Sequence, residues 1–300
     1  MKTGLKSLRK NRKFCPDTYL KSKITLINRF FTDEKLTSAV VGLSGGVDSS
    51  LVFALLVEAK KQINSPIKTV LGVSIPIYCP GTSGQQKATR IASDYATKVK
   101  EENSGVQYVK IDISKACKAI VNETQKNYNK LSHWNQGQMA SILRVPVLYQ
   151  MAASLQDKGE KSIVVGTINR DEGAYIGYFG KASDAMVDLL PIADIHKSEV
   201  YKVAEKLNLP KEILTRQPTG DVWDGKTDKE LIGLTYDDIE TFTLYRDYKK
   251  EVNKKNIFKY ITKTKVNKIE KIHEINIHKY KAGFVARFID VMPRKVEGGW

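Results

Sequence analysis

The sequence predicts an α/β protein with a doubly wound parallel sheet, helices on both faces and a helical C-terminal extension. Three observations carry this. Short β-branched apolar runs alternate with stretches of helical length, and each pair of runs is separated by enough chain for a crossover. The first run ends in a polar turn, Ser44-Gly45-Gly46-Val47-Asp48-Ser49-Ser50, that opens a helix. Strands joined through helices run parallel and are covered on both sides.

In chain order, a basic leader (residues 1–36) carries a helix in "DTYLKSKITLINRFFTDEK", apolar at every third or fourth position. "SAVVGLS" reads as a buried strand and "DSSLVFALLVEAKKQ" as a helix, followed by the strand "IKTVLGVSIP" and the helix "QQKATRIASDYATKVKEE". "VQYVKIDIS" is a third strand, "KACKAIVNETQK" a helix, and "NQGQMASILRVPVLYQMAASLQDKG" a long helix in which Pro146 marks a kink or boundary. "KSIVVGT" is the fourth strand, and Pro210 stops the late helix "SEVYKVAEKLNLP". Residues 245–300 form a basic helical extension of a single domain spanning 1–300. No internal repeat or low-complexity linker divides it.

The composition narrows the class. Three hundred residues, 41% hydrophobic, suffice for a substantial core. No run approaches the roughly 18 apolar residues of a membrane span, and the basic start lacks an apolar targeting segment, so a cytoplasmic protein is expected. Cys15, Cys79 and Cys117 form no CxxC, which argues against a zinc site or disulfide framework. Lys and Arg number 49 against 33 Asp and Glu, a formal charge of +16 that attracts anionic metabolites and polyanions. Much of the excess alternates with apolar residues at helical spacing near the C-terminus, which reads as solvated helix faces. Nucleic acid is the second reading of that charge.

In an open parallel sheet, ligands gather at the carboxyl ends of strands where the strand order reverses. The polar residues there are Ser44–Ser50 after the first strand and Gly166, Thr167 and Glu172 after the fourth. The Ser44–Ser50 turn is neither a Walker A loop nor a GxGxxG fingerprint. A tight turn capped by Asp48 or Ser49 needs fewer polar groups than stand here, so the segment is read as a phosphate cradle. Glu172, six residues beyond Gly166, is placed to approach Asp48 across the strand ends, and two oxygen ligands plus phosphates suit Mg²⁺. Lys197 opens a helix, where a cation opposes the macrodipole and asks for an anionic partner.

The Ser-Gly-Gly-x-Asp-Ser segment resembles the PP-loop of ATP pyrophosphatases, which cleave ATP between the α and β phosphates and transfer AMP to an acceptor oxygen. By that resemblance Gly42, Leu43, Ser44, Gly45, Gly46, Ser49 and Ser50 hold ATP, and Asp48 is a Mg²⁺ ligand. Further along stand Gly166, Thr167, Glu172, Gly177, Tyr178, Phe179, Lys181, Asp184, Asp188, Pro191, Lys197, Pro218, Thr219, Asp221, Asp228, Glu230, Gly233, Leu234, Tyr236 and Ile239. Their order resembles the ammonia-dependent NAD synthetases, as do Asn135, Gly137 and Arg144 upstream. The resemblance runs from about Ile24 to about Lys281.

It implies a PP-loop type α/β fold, Glu172 as second metal ligand, and Thr167, Lys197 and Thr219 on ATP. It further implies Asn135, Arg144, Tyr178, Phe179, Lys181, Asp184, Asp188, His278 and Lys279 on deamido-NAD, with Asp48, Lys197, Asp184 and Asp188 catalytic. The implied activity is adenylation of the nicotinate carboxylate of deamido-NAD followed by attack of ammonia, in a homodimer. Four departures concern the acceptor side. Ser183-Asp184-Ala185-Met186 replaces Gly-Asp-Gly-Gly, Ile142 replaces an arginine, "PIYCPGTSGQQ" replaces the usual Pro-Tyr pattern, and Tyr280 replaces the arginine after His278-Lys279. ATP-dependent activation is thus better supported than the identity of the carboxylate. An amide ligase for another carboxylate and a tRNA-modifying PP-loop enzyme are the alternatives, with an inactive nucleotide-binding protein a more distant third.

Overall fold

β1 (Ser38–Gly42) is apolar on both sides because both sides are covered, and the rest of the chain is arranged around it. The computed structural model describes residues 2–78, 83–217, 226–248, 257–280 and 287–288. Ahead of β1 lie α1 (Lys2–Arg12) and α2 (Pro16–Asp33), the latter opened by a proline in its first turn. After it come α3 (Val47–Lys60), β2 (Thr69–Ser74), α4 (Ser83–Glu102), β3 (Val106–Lys110), α5 (Ser114–Asn127), α6 (His133–Gln156) and β4 (Ser162–Val165). A π turn (Glu172–Ile176), β5 (Leu189–Leu190), α7 (Lys197–Lys206) and α8 (Lys211–Thr215) follow. The C-terminal part holds α9 (Asp228–Ile232), α10 (Tyr236–Asp247), α11 (Lys263–Tyr280) and β6 (Arg287–Phe288).

The sheet order is β3-β2-β1-β4-β5-β6, and every pair is parallel. The order reverses between β1 and β4, so the loops leaving those two strands diverge and open a crevice at their carboxyl ends. On one face the apolar sides of α2, α3, α4 and α7 pack through Ile27, Phe31, Leu51, Leu55, Ile91 and Val203. On the other, α6 packs Ala152 and Leu155 against Val40, Leu71, Val73 and Val164. A third cluster, with Ile176, Leu234, Phe242 and Ile269, joins α9, α10 and α11 to the π turn. No helix among the described residues is long and apolar enough to cross a membrane.

Four strands are predicted from sequence and six are found. β5 and β6 are two residues each, too short to show periodicity. α6 runs through Pro146, and Ile142, whose carbonyl loses its helical partner there, is exposed. The basic leader is more deeply engaged than its charge suggests. Arg12 and Lys23 are 3% and 0% exposed, and Lys23 shares the buried stripe of α2 with Tyr19, Ile27 and Phe31. The C-terminal lysines divide: Lys263, Lys268 and Lys271 are exposed, Lys265 pairs with Asp238 at 2.7 Å, and Lys279 is half-buried.

Phe53 of α3 is fully buried and meets Tyr95 edge-on at 6.0 Å. Truncating it removes a whole ring from a closed core, so Phe53→Ala is expected to cost about 3–5 kcal/mol, read by equilibrium urea unfolding.

Candidate active site

The loop after β1 is shaped by one backbone requirement. Gly45 has φ +79°, and a Cβ there would lie 2.2 Å from the carbonyl oxygen of Ala88 in α4. Only glycine lets α4 press this closely on the loop. Ser44 and Ser49 are linked Oγ to Oγ at 3.1 Å, Ser49 Oγ donates to the Gly46 carbonyl at 3.2 Å, and the Gly46 N–H donates to Ser44 Oγ at 3.2 Å. Gly46 is the N-cap of α3 and no side chain caps the helix, so neither Asp48 nor Ser49 plays that part. The first-turn N–H groups of a fourteen-residue helix therefore carry its positive end toward the crevice.

Lys197 at the start of α7 faces this helix end. Its Nζ pairs with Asp48 Oδ2, stands 3.9 Å from Glu172 Oε1, and lies 4.8 Å from the ring centre of Tyr236. Asn169 ties the arrangement together. Its Nδ2 donates to Asp48 Oδ1 at 3.0 Å, while its Oδ1 accepts from the N–H groups of Asp171 and Glu172 at 3.0 and 3.2 Å. Asp171 in turn holds the backbone of Lys197: its Oδ2 accepts from the Lys197 N–H at 2.7 Å and its Oδ1 meets His196 Nδ1 at 2.6 Å.

The charges explain themselves from this geometry. Burial works against the ammonium of Lys197, but Asp48 and Glu172 outweigh it and raise its pKa. Burial pushes the Glu172 carboxyl up to about 8; Lys197 opposes the rise, and Asp48 and Asp228 add to it. The Tyr236 hydroxyl lies 2.7 Å from Glu172 Oε1 and 2.9 Å from Asp228 Oδ2. A phenol has one proton to donate, so the second of these contacts is best made by a protonated carboxyl. Burial raises Asp228 as well.

Two adjoining cavities of about 220 and about 680 Å³ meet here, sharing Ser44, Ser49, Ser141, Arg144, Thr167 and Asp184. The smaller has apolar walls from Val73, Ile75, Val145 and Leu148. The larger is lined by Asp48, Glu172, Lys197 and Asp228 at one end, with Tyr178, Phe179 and Lys279 also on its wall. Among the described residues no three His, Cys, Asp or Glu side chains meet as a metal-binding group. Asp48 and Glu172, turned toward the same lysine, are the oxygen donors that a hard cation would use.

A family model described as NAD synthase matches residues 19–283. The chain belongs to the NAD synthase family. Among curated members, the NH₃-dependent NAD⁺ synthetase of Thermococcus sibiricus is 30% identical over 261 residues, covering 86% of this chain and 92% of that protein. The corresponding protein of Alkaliphilus oremlandii is 34% identical over 209 residues, 67% of this chain and 75% of its own length. Among solved structures, an NMN synthetase from Francisella tularensis superposes with a TM-score of 0.72 at 24% identity, covering 94% of this chain and 99% of that one. An NH₃-dependent NAD synthetase from Campylobacter jejuni superposes with a TM-score of 0.65 at 20% identity, over 90% and 98% of the two chains.

Of the residues singled out by the NAD synthase resemblance, Gly42, Leu43, Ser44, Ser49 and Thr167 line the smaller cavity. Gly46, Asp48, Glu172, Tyr178, Phe179, Lys197 and Lys279 line the larger, and Ser44, Ser49, Thr167, Arg144 and Asp184 line both. Gly45 and Ser50 line neither: Gly45 backs onto α4 and Ser50 is 1% exposed. Asp188 is turned into the sheet, accepting from the Val164 N–H at 2.7 Å and from Tyr149 at 3.3 Å, which makes it a strand-edge acceptor away from both cavities. Asn135, Lys181 and His278 are exposed and outside both cavities. Asn135 contributes its N–H to the Ser132 cap, and His278 Nδ1 donates to the carbonyl of Ile275. Thr219, with Pro218 and Asp221, lies outside the described residues.

Asn169, Tyr236 and Asp228 are site residues that sequence reasoning did not assign. Asn169 stands two residues after Thr167, and Asp228 and Tyr236 stand in the ordered series of family matches, so the signal was position rather than chemistry.

Because Glu172 moves from an ordinary value of 4.5 to about 8, the folded chain holds a proton there that the unfolded chain releases. Stability from this group is present below about pH 4.5 and is lost as pH rises toward 8. Glu172→Gln removes that dependence, and the ligand-free variant is expected to melt about 3 °C above the wild type at pH 8 and level with it at pH 4.5, read by thermal denaturation at both values.

Proposed function

We propose that this chain is an ammonia-dependent NAD synthetase, a ligase that forms an amide C–N bond with ATP as co-substrate. The observation that carries the reading is the Lys197–Asp48–Glu172 cluster facing the uncapped N-terminus of α3 at the point where the strand order reverses, in a member of the NAD synthase family. In the first half-reaction, a nicotinate carboxylate oxygen of deamido-NAD attacks the α-phosphorus of ATP, and the bond to the bridging oxygen breaks to release pyrophosphate. In the second, ammonia attacks the acyl carbon and AMP leaves with the bonding pair.

The residues have separable tasks. The N–H groups of the loop and of α3, with Ser44, Ser49 and the Lys197 ammonium, meet the phosphates and the charge that grows on the leaving pyrophosphate. Asp48 and Glu172 would hold Mg²⁺, which supplies charge neutralisation at the phosphates when bound. The smaller cavity suits an adenine by its apolar walls, and the larger suits the pyridine nucleotide, with Tyr178 and Phe179 beside the ring. Asp184, on the wall common to both, is placed to bind ammonium and accept the proton it must lose before attack. Arg144, anchored by Nε to the Ile75 carbonyl at 3.2 Å, stands at the same junction of the two cavities.

A homodimer goes with this reading. Ile120, Tyr128, Trp134 and Ile142, on α5, its end and α6, expose apolar surface that a second copy would cover. A cytoplasmic setting supplies the substrates. A second reading, amidation of a different nicotinate nucleotide, is favoured by Ile142 and Met186, which expose apolar side chains where the family pattern has arginine and glycine. The name of the Francisella tularensis structure makes nicotinate mononucleotide the natural alternative acceptor.

The test is a coupled assay of AMP, pyrophosphate and amide product with ATP, Mg²⁺ and ammonium, using deamido-NAD and nicotinate mononucleotide separately. Equal amounts of NAD, AMP and pyrophosphate from deamido-NAD are expected. Asp48→Ala and Lys197→Ala are expected to lower kcat/KM by about 100-fold or more. Product only from the mononucleotide would move the acceptor, and product from neither would overturn the reading.

A further inference from the structure

The segment ahead of residue 19 lies outside the family match, yet it reaches the back of the site. Arg12, 3% exposed, donates from Nε to Glu199 Oε1 at 2.6 Å and from Nη2 to the backbone carbonyl of Asp194 at 2.5 Å. These two acceptors flank Lys197 along the chain. Glu199 is also the capping residue of α7, its Oε2 accepting from the His196 N–H at 2.9 Å. On the other side, Asp194 Oδ1 receives Tyr19 and Lys23, both at 3.1 Å. One turn earlier in α1, Arg9 binds Glu240, whose Oε1 also accepts from Ser198 Oγ at 3.0 Å. The residues immediately around Lys197 are thus gripped from beneath by three side chains of α1 and α2, with Arg9 acting through Glu240.

Burying an arginine and a lysine contributes little net stability, because desolvation offsets the attraction of each pair. What a guanidinium does offer is geometry: its rigid planar fork fixes the directions of two acceptors relative to each other, which the rotatable ammonium of a lysine does not. We propose that Arg12 is a positioning residue for the phosphate-binding lysine, clamping residues 194 to 199 so that the Lys197 ammonium is aimed into the cavity. Tyr19 and Lys23 brace the same turn through Asp194. This rests on the reading that Lys197 holds an ATP phosphate.

The experiment is a double-mutant cycle on the full chain, with the affinity for the Mg²⁺ complex of α,β-methylene-ATP measured by titration calorimetry. The proteins are the wild type, Arg12→Lys, Arg12→Met, Lys197→Ala and the two combinations, each checked for a cooperative thermal transition. If Arg12 acts through Lys197, each Arg12 variant weakens binding about tenfold when Lys197 is present and less than twofold when it is alanine. Arg12→Lys keeps the buried charge and carries the test should Arg12→Met fail to fold. Equal losses in both backgrounds, or none in either, overturn the proposal. Binding that is indifferent to Lys197→Ala overturns the phosphate role beneath it, while a wild type that binds the analogue but amidates nothing refutes the acceptor reading alone.

Discussion

The ion pair between Lys197 and Asp48, with Glu172 alongside, is the constraint around which the rest of the molecule is organised. It joins three segments that are distant in sequence: the first turn of α3, the π turn after β4, and the start of α7. A charged group this enclosed is tolerable only when its partners are fixed. Asn169 and Asp171 do the fixing from inside the site, through a side-chain amide on Asp48 and a carboxylate on the Lys197 N–H. The sheet makes the meeting possible, because β1 and β4 are neighbours whose following loops part in opposite directions.

Three carboxyls, of Asp48, Glu172 and Asp228, and the Tyr236 phenol packed about one ammonium leave the cluster with more acid than base. The raised pKa of Glu172 and Asp228 is the molecule's answer while only one cation is present. A second, divalent cation arriving with nucleotide would let both carboxyls ionise.

The sheet and the helices around it were legible because their signals are local. β1, β2 and β4 are largely apolar, buried runs, β3 is a more polar, half-buried one, and α2, α3, α4 and α7 begin and end within a few residues of where periodicity and capping place them. The loop after β1 was legible for a sharper reason: Gly45 takes a positive φ beneath the α4 backbone, and few residue types satisfy that. Asp48, Glu172 and Lys197 were found together because charged residues at strand ends and helix starts stand out against a hydrophobic background. Asp188 stands outside the lining of both cavities, and nothing in a sequence tells a carboxylate that accepts from a strand N–H from one that faces a ligand. Asn169, Asp228 and Tyr236 were passed over as agents because their importance lies in which groups they join, and joining is a property of the folded chain. The buried cations of α1 and α2 were hidden for the same reason, inside a stretch whose composition looks like solvated leader.

The π turn that carries Glu172 is finished by α11. Lys279 donates to the carbonyls of Gly177 and Phe179 at 2.8 and 2.5 Å, Tyr280 to Gly173 at 2.8 Å, Asn276 to Ile176 at 2.9 Å, and His273 to Tyr175 at 2.7 Å. Three main-chain acceptors of this short turn and two just beyond it are thus satisfied by a helix about a hundred residues downstream in the chain. During synthesis, β1 to β5 can pair before that helix leaves the ribosome, while the turn must wait. Until that helix has emerged, the nascent chain is a partly closed scaffold with an unfinished site.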